Sequence, residues 1–186
     1  IGLSGKIDPK LTGTKAFGNL GLGFLEIGPV SPMPIESSSP RFTEARDNLV
    51  YSYPLESRGL KKTVNKLKEL KTFKKPLFIR IGTTGSCEET SALVETLFDY
   101  GDAFILEEKF SDRDLETIKK SVKSKPLCYS FSHQQLDIDY LSNLVGKKYI
   151  DGIMIEEQAI DTGSGQLFPL VQVDNLSKTI QDIKVI

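Results

Sequence analysis

The sequence predicts an α/β fold of the TIM (β/α)8 type, here an incomplete barrel of about six to seven strands with a long insertion after strand 2. Short apolar runs alternate with segments of helical periodicity, which is typical of parallel strands joined by right-handed crossovers. No G-x-G-x-x-G turn follows the first strand, which favours a barrel. An open, doubly wound sheet is the alternative.

The expected strands are short and mostly apolar. The second strand follows Gly21 and Gly23, which can end a helix, and Gly28-Pro29 is predicted to break it. Lys-Pro pairs before two of the strands indicate helix-to-strand turns. The expected strands are 1–4, 24–27, 76–82, 103–106, 127–130 and 153–155, with a seventh at 183–186.

The helices are predicted from apolar residues spaced three or four positions apart and from capping residues at their starts. Thr12 or Thr14 is expected to cap the first helix, Ser86 the third, and Ser111 or Asp112 the fourth. The expected helices are 14–20, one opened by 57–59, one from 86 to about 100, one from 111 to about 123, 136–145 and 174–181.

We expect a single domain, 1–186, whose insertion at 29–58 forms a loop or hairpin over the barrel mouth. That insertion is longer than the ~12–15 residues of an ordinary structureless connection, so it is predicted to have structure and a function. The lysines of the following helix are interpreted as a solvated face, with phosphate or membrane contact as the alternative.

Composition excludes several classes of function. A net charge of −1 gives no general attraction to nucleic acid, and no apolar run reaches the ~18 residues of a transmembrane segment. The two cysteines, Cys87 and Cys128, have no CxxC spacing, so no metal site is predicted. We expect reduced thiols in a cytoplasmic protein, with a disulfide as the alternative.

The stretch from Gly21 to Pro34 resembles the G-F-G-x-x-E-x-G-[ST]-V-T-P-x-P segment of dihydroorotate dehydrogenases. The resemblance continues in order through 40–42, 57–60, 76–82 and 151–152, as in a divergent and truncated member of that family. It implies an FMN-dependent TIM barrel, a flavoprotein oxidoreductase that oxidises dihydroorotate to orotate in pyrimidine biosynthesis.

The resemblance also implies site residues. Lys10 stands one position after the family's flavin-binding lysine, and the other implied FMN contacts are Gly28, Ser164 and Gly165. Ser57 falls in the family's substrate-binding segment. Ser111 would substitute for the catalytic base if the alignment with the family motif shifts. Independently of the resemblance, His133 follows the fifth strand, at the face of a barrel where catalytic groups lie. It is interpreted either as an acid or base or as a histidine in a surface loop.

Most of the family's chemical positions are altered. Glu56 replaces a substrate-binding asparagine and would repel anionic orotate; Arg80 replaces another asparagine, and Ser130 replaces a lysine. The sequence therefore predicts a catalytically degenerate barrel, a pseudoenzyme that works as a binding or regulatory module, with FMN as its cofactor if it has any. The alternative is an active FMN-dependent oxidoreductase.

The expected partner is a small-molecule ligand or a protein at the barrel mouth, and open sheet edges would allow a homo-oligomer. A group of glutamates at the strand ends is a further feature. It could form an acidic mouth for a divalent cation or a basic partner, or simply face water. The group consists of Glu107, Glu108, Glu156 and Glu157.

Overall fold

The computed structural model describes residues 2–36, 42–45, 48–51, 56–70, 73–132, 137–156, 160–161 and 167–168. The strands are β1 (Gly2–Leu3), β2 (Phe24–Val30), β3 (Phe42–Ala45), β4 (Asn48–Tyr51), β5 (Leu77–Ile81), β6 (Ala103–Leu106), β7 (Leu127–Ser132), β8 (Gly152–Glu156), β9 (Ile160–Asp161) and β10 (Leu167–Phe168). The helices are α1 (Thr14–Phe17), α2 (Leu60–Glu69), α3 (Cys87–Leu97), α4 (Asp112–Val122) and α5 (Ile138–Gly146).

Within these residues, one sheet of six parallel strands has the order β1-β2-β5-β6-β7-β8. Each strand of this sheet pairs with the sheet strand that comes before it in the sequence, so the strand order never reverses. A doubly wound sheet must reverse at its switch point, so that alternative is wrong. The prediction of an incomplete TIM-type barrel is confirmed, with six strands in a curled half-barrel.

The insertion after β2 contains a hairpin in which β3 pairs antiparallel with β4, from Phe42 opposite Tyr51 to Ala45 opposite Asn48. A hairpin in this segment was expected, because the connection is too long to be a plain loop. Its position over the barrel mouth stays a prediction.

The two faces of the sheet differ in chemistry. Because side chains alternate along a strand, Leu25 and Ile27 of β2 share one face with Ile79 and Ile81 of β5. All four are buried in the apolar core, together with Leu97 and other residues of the helices. Right-handed crossovers in a singly wound sheet place every helix on this face.

We call the opposite face of the six-stranded sheet the inner face. By the same alternation it carries Phe24, Glu26, Phe78, Arg80 and Ile105. The rings of Phe24 and Phe78 stack there with centroids 4.5 Å apart. The inner face thus combines an aromatic pair with charged side chains.

Several boundaries differ from the prediction. Strand β2 does not stop at Gly28-Pro29; it continues to Val30, with a register shift between Ile27 and Val30 that accommodates the proline. Neither threonine caps α1: its N-cap is Gly13, and Thr14 Oγ1 donates instead to Asp8 Oδ2 at 2.8 Å. The carboxylate of Asp8 also accepts hydrogen bonds from the N–H groups of Thr12 and Gly13, so it serves as the acceptor at this end of the helix.

The predicted caps of α3 and α4 are confirmed. Ser86 Oγ accepts a hydrogen bond from the N–H of Glu89, and Ser111 Oγ accepts one from the N–H of Asp114. Helix α5 begins at Ile138, with Asp137 as its cap; the predicted start at 136 lies outside the described residues, as do the helix at 174–181 and the strand at 183–186.

An aspartate directly before β6 and another directly before β8 each accept a backbone hydrogen bond from the neighbouring strand. Asp102 Oδ2 accepts a hydrogen bond from the N–H of Leu77, and Asp151 Oδ2 accepts one from the N–H of Leu127, each at 2.8 Å. Asp151 also pairs with Lys119. Burial raises the pKa of Asp151, but the hydrogen bonds from Lys119 and from the Leu127 N–H outweigh it, and the net pKa is lowered.

This lowered pKa predicts an acid-labile contribution to stability. A depressed folded-state pKa stabilises the protein above the unfolded value of ~3.9, and that contribution is lost as pH falls through the folded value. We expect Asp151→Asn and Lys119→Met each to flatten the fall in urea-unfolding free energy between pH 5 and about pH 2. If the free energy of unfolding of both variants falls with decreasing pH as steeply as that of the wild-type protein, this assignment is wrong.

No helix among the described residues has the length and hydropathy needed to cross a membrane. Over the same residues, no cluster of three or more histidine, cysteine or acidic side chains could hold a metal ion.

Candidate functional site at the carboxyl ends of the strands

The working face of a TIM-type barrel lies at the carboxyl ends of its strands. In this chain the most unusual feature there is an ion cluster on the inner face. Arg80 Nε lies 2.6 Å from Glu26 Oε1, and Arg80 Nη1 lies 2.7 Å from Glu107 Oε1. The side chains of Arg80 and Glu26 are 0% and 2% exposed, while that of Glu107 is 22% exposed.

The strand register positions the cluster. Glu26 is level with Phe78, Arg80 is level with Ile105, and Glu107 follows two residues after Ile105. Each charged residue is therefore one inward-facing position closer to the carboxyl ends than the one on the preceding strand. The cluster crosses three strands diagonally, and only Glu107 reaches toward solvent.

The ion cluster was missed from the sequence, although a signal was present. Glu26 and Arg80 each interrupt a run of apolar residues in neighbouring strands. An isolated charge in such a run would be very costly to bury, so opposite charges in adjacent strands are expected to pair. From the sequence, 24–27 is predicted only as a short, mostly apolar strand.

Glu108 is held by backbone rather than by a cation. Its Oε2 accepts hydrogen bonds from the N–H groups of Thr84 at 3.0 Å and Gly85 at 3.1 Å. With Glu107 bound to Arg80, neither alternative for the glutamate group holds for these two residues: they form internal bonds rather than a cation site or a freely solvated rim. Glu157 lies outside the described residues, and for Glu156 only the backbone is described.

The loops after β1 and before α2 meet through a second ion pair. Lys10 Nζ lies 2.8 Å from Glu56 Oε1, with side chains 61% and 23% exposed. Lys10 is the predicted flavin contact, and Glu56 stands where the resemblance to dihydroorotate dehydrogenases predicts an asparagine. The structure brings these two substitutions together, so that each charge compensates the other.

Ser57 connects the end of β2 to the start of α2. Its buried Oγ accepts hydrogen bonds from the N–H of Ser31 at 3.1 Å and the N–H of Gly59 at 3.2 Å. Ser57 also forms a β-bridge with Ile35. The predicted substrate contact is thus a residue that holds two segments of the working face together.

We expect Ser57→Ala to lower the free energy of unfolding by about 2 kcal/mol, because two buried N–H groups lose their acceptor. Urea denaturation measures this. Ser86→Ala, which removes an exposed N-cap hydroxyl, is the matched control and is expected to cost about 1 kcal/mol. A loss for Ser57→Ala below that of the control would contradict the assigned hydrogen bonds.

Gly28 lies at the bulge of β2 with φ of +113°. A Cβ built there would lie 2.5 Å from the backbone oxygen of Arg80 and 2.9 Å from the backbone N of Val30. The close approach of β2 to β5 accounts for glycine at this position. Its predicted contact with a cofactor stays a prediction.

Ser111, the proposed stand-in for a catalytic base, is exposed and caps α4; its Oγ also lies 2.7 Å from Asp114 Oδ2. We expect Ser111→Ala to lower the free energy of unfolding by about 1 kcal/mol, and Ser111→Asp to retain most of that stability, because aspartate also caps helices. Equal losses in both variants, measured by urea denaturation, would argue against a capping role.

The remaining predicted site residues, His133, Ser164 and Gly165, lie outside the described residues. Both cysteines are free thiols, as expected, and burial raises the pKa of each. A thiol whose pKa is raised is a poor nucleophile at neutral pH. These cysteines therefore offer no activated group for covalent catalysis.

Comparisons with known proteins support the fold. No protein-family model matches this chain, and no curated protein matches its sequence. Among solved structures, it is similar to DHODH from Eimeria tenella in complex with ferulenol, with a TM-score of 0.68 and 14% identity. The match covers 89% of this chain and 58% of that one.

The ligand-free DHODH of the same organism gives a TM-score of 0.62 and 12% identity, over 88% of this chain and 58% of that one. Dehydroquinate dehydratase and shikimate dehydrogenase from S. pombe AroM gives a TM-score of 0.58 and 13% identity, over 97% of this chain and 34% of that one. The chain thus spans a little over half the length of the DHODH structures. At these identities the likeness establishes a TIM-type half-barrel fold.

Proposed function

We propose that this chain is a DHODH-like barrel unit that has lost redox chemistry and works as a binding or regulatory module. The observation that carries the proposal is the buried ion cluster of Glu26, Arg80 and Glu107. In this cluster one guanidinium bonds to two carboxylates on the inner face, next to the strand ends where a barrel enzyme presents catalytic groups to its substrate.

The described residues do not fit FMN well. A flavin needs donors along the edge of its ring system, and its phosphate needs positive or N–H groups. Arg80 is fully buried between two carboxylates, Lys10 is paired with Glu56, and the Oγ of Ser57 already accepts two backbone N–H groups. The added carboxylates would disfavour an anionic cofactor or substrate.

The proposed ligand is a small molecule or a protein segment at the barrel mouth, near the ion pair of Lys10 and Glu56. The side chain of Lys10 is 61% exposed, so a partner can reach it without disturbing the buried cluster. We place the module in the cytoplasm, in keeping with two reduced thiols. A homo-oligomer that pairs open strand edges belongs to the same proposal.

The competing function is an FMN-dependent oxidoreductase that oxidises dihydroorotate to orotate in pyrimidine biosynthesis. The similarity to DHODH at a TM-score of 0.68 favours it. The absorption spectrum of the purified protein separates the two functions. We expect a colourless protein; a flavin band that bleaches when dihydroorotate is added would refute the proposed loss of redox chemistry.

A further inference from the structure

A cavity lies at the opposite end of the sheet from the working face. It has a volume of about 370 Å³ and is formed by the segment after α1 and by the end of α2 with the connection into β5. We call it the lysine pocket because Lys15, Lys74 and Lys75 line it. Cavities of about 300–1,000 Å³ are the usual size for small-molecule sites.

The charge of the lysine pocket is mostly uncompensated. Glu69 is the acidic lining residue, and its carboxylate is already 2.7 Å from Lys66 Nζ. Within the described part of the chain, no carboxylate pairs with Lys15, Lys74 or Lys75, whereas other lysines such as Lys119 do pair. The chain as a whole carries a charge of only −1, so this positive region is a local feature.

The pocket also has an aromatic wall. The ring of Phe73 packs directly on Gly18, where an added Cβ would lie 2.2 Å from the ring carbon Cε2. The N–H of Phe73 donates to the backbone oxygen of Leu70 at 2.8 Å, and Leu70 is a buried lining residue. Phe73 is thus a partly buried apolar residue that lines the cavity together with the lysines.

The helix macrodipole explains only part of this arrangement. Lysines near a helix carboxyl end are stabilising, but the effect falls off within the last turn. Helix α2 ends at Glu69, so Lys74 and Lys75 lie beyond that range. The dipole also does not explain why an aromatic residue and three lysines line the same cavity.

We propose that the lysine pocket binds a small organic phosphate whose ester group is planar and apolar. The lysine ammonium groups attract the phosphate as point charges, and the ring of Phe73 packs against the planar group. Because barrel enzymes carry out catalysis at the carboxyl ends of the strands, a ligand at the opposite end stabilises or regulates the protein and does not react. This inference does not depend on the function proposed for the working face.

The test is calorimetric titration of the whole chain with two probes, phenyl phosphate and inorganic phosphate, at about 0.1 M salt, where the Debye length is about 10 Å. We expect one site that binds phenyl phosphate about fivefold more tightly than inorganic phosphate, because a ring contact is worth about 1 kcal/mol. Lys74→Glu combined with Lys75→Glu is expected to weaken both probes at least about tenfold.

The matched control combines Lys61→Glu with Lys62→Glu at the exposed start of α2, about 10–12 Å from its other end. It has the same change in net charge, and we expect it to alter both affinities by less than about twofold. Gly18→Ala moves the ring of Phe73 without any change of charge, and it should reduce only the advantage of phenyl phosphate. Urea denaturation of each variant confirms that it is folded.

Three outcomes would overturn the proposal. If the control pair weakens the binding of the probes as much as the Lys74 and Lys75 pair does, the probes are held by general charge attraction and not by this site. Equal affinity of wild-type protein for the two probes would remove the role of the ring. The absence of binding to wild-type protein at millimolar probe would remove the site itself.

Discussion

Replacing Arg80 with methionine is expected to lower the free energy of unfolding by about 3–5 kcal/mol, the usual cost of leaving a buried charge without its partner. Glu26 is 2% exposed and lies 2.6 Å from the guanidinium, so removing Arg80 leaves its carboxylate in a dry environment. The carboxylate of Glu107 is destabilised less by the loss of Arg80, because its side chain is 22% exposed and water can reach it. Urea denaturation at neutral pH measures the loss.

The double variant Arg80→Met with Glu26→Leu is the control for this prediction. It removes both fully buried charges, and buried ion pairs replaced by apolar residues of similar volume often keep or gain stability. We expect it to recover at least about half of the loss caused by Arg80→Met alone. A double variant less stable than the single one would show that Glu26 is not left unpaired when Arg80 is removed.

Replacing Gly28 with alanine is expected to cost about 3 kcal/mol or more, from two independent sources. At φ of +113° an L-residue is strained, and the new Cβ would be 2.5 Å from the backbone oxygen of Arg80. A backbone atom in a central strand cannot move aside as a flexible side chain can. The clash would also shift the strand that carries Arg80, so the ion cluster is expected to be disturbed.

Gly21→Ala separates the two sources. Gly21 has φ of +70°, but an added Cβ there meets nothing within 4 Å. This variant carries the backbone strain alone and is expected to cost about 1 kcal/mol. If Gly28→Ala and Gly21→Ala cost the same in urea denaturation, the close contact between β2 and β5 makes no contribution.

The fold was predictable because its signals are local and repeated. Apolar runs such as 103–106 alternate with helices whose caps, Ser86 and Ser111, can be identified from the sequence. The end of β2 was not predictable in this way. Proline normally ends a central strand, and here the register shift after Ile27 allows the strand to continue.

The candidate site was harder to predict, because it depends on long-range pairing. The resemblance to dihydroorotate dehydrogenases identified Lys10, Glu56 and Ser57 as altered or retained positions one at a time. It gave no sign that Lys10 and Glu56 pair with each other at 2.8 Å. The partner of a charged side chain is set by strand register, which a family motif does not encode.

We infer that the charged residues described on the working face are held in bonds to one another and do not bind a flavin. Ultrafiltration of the purified protein with micromolar FMN tests this inference most directly. Glu56→Asn, which introduces the asparagine found in dihydroorotate dehydrogenases and removes the partner of Lys10, is measured alongside. We predict no saturable retention of FMN by the wild-type protein. Retention of one flavin per wild-type chain would contradict the account.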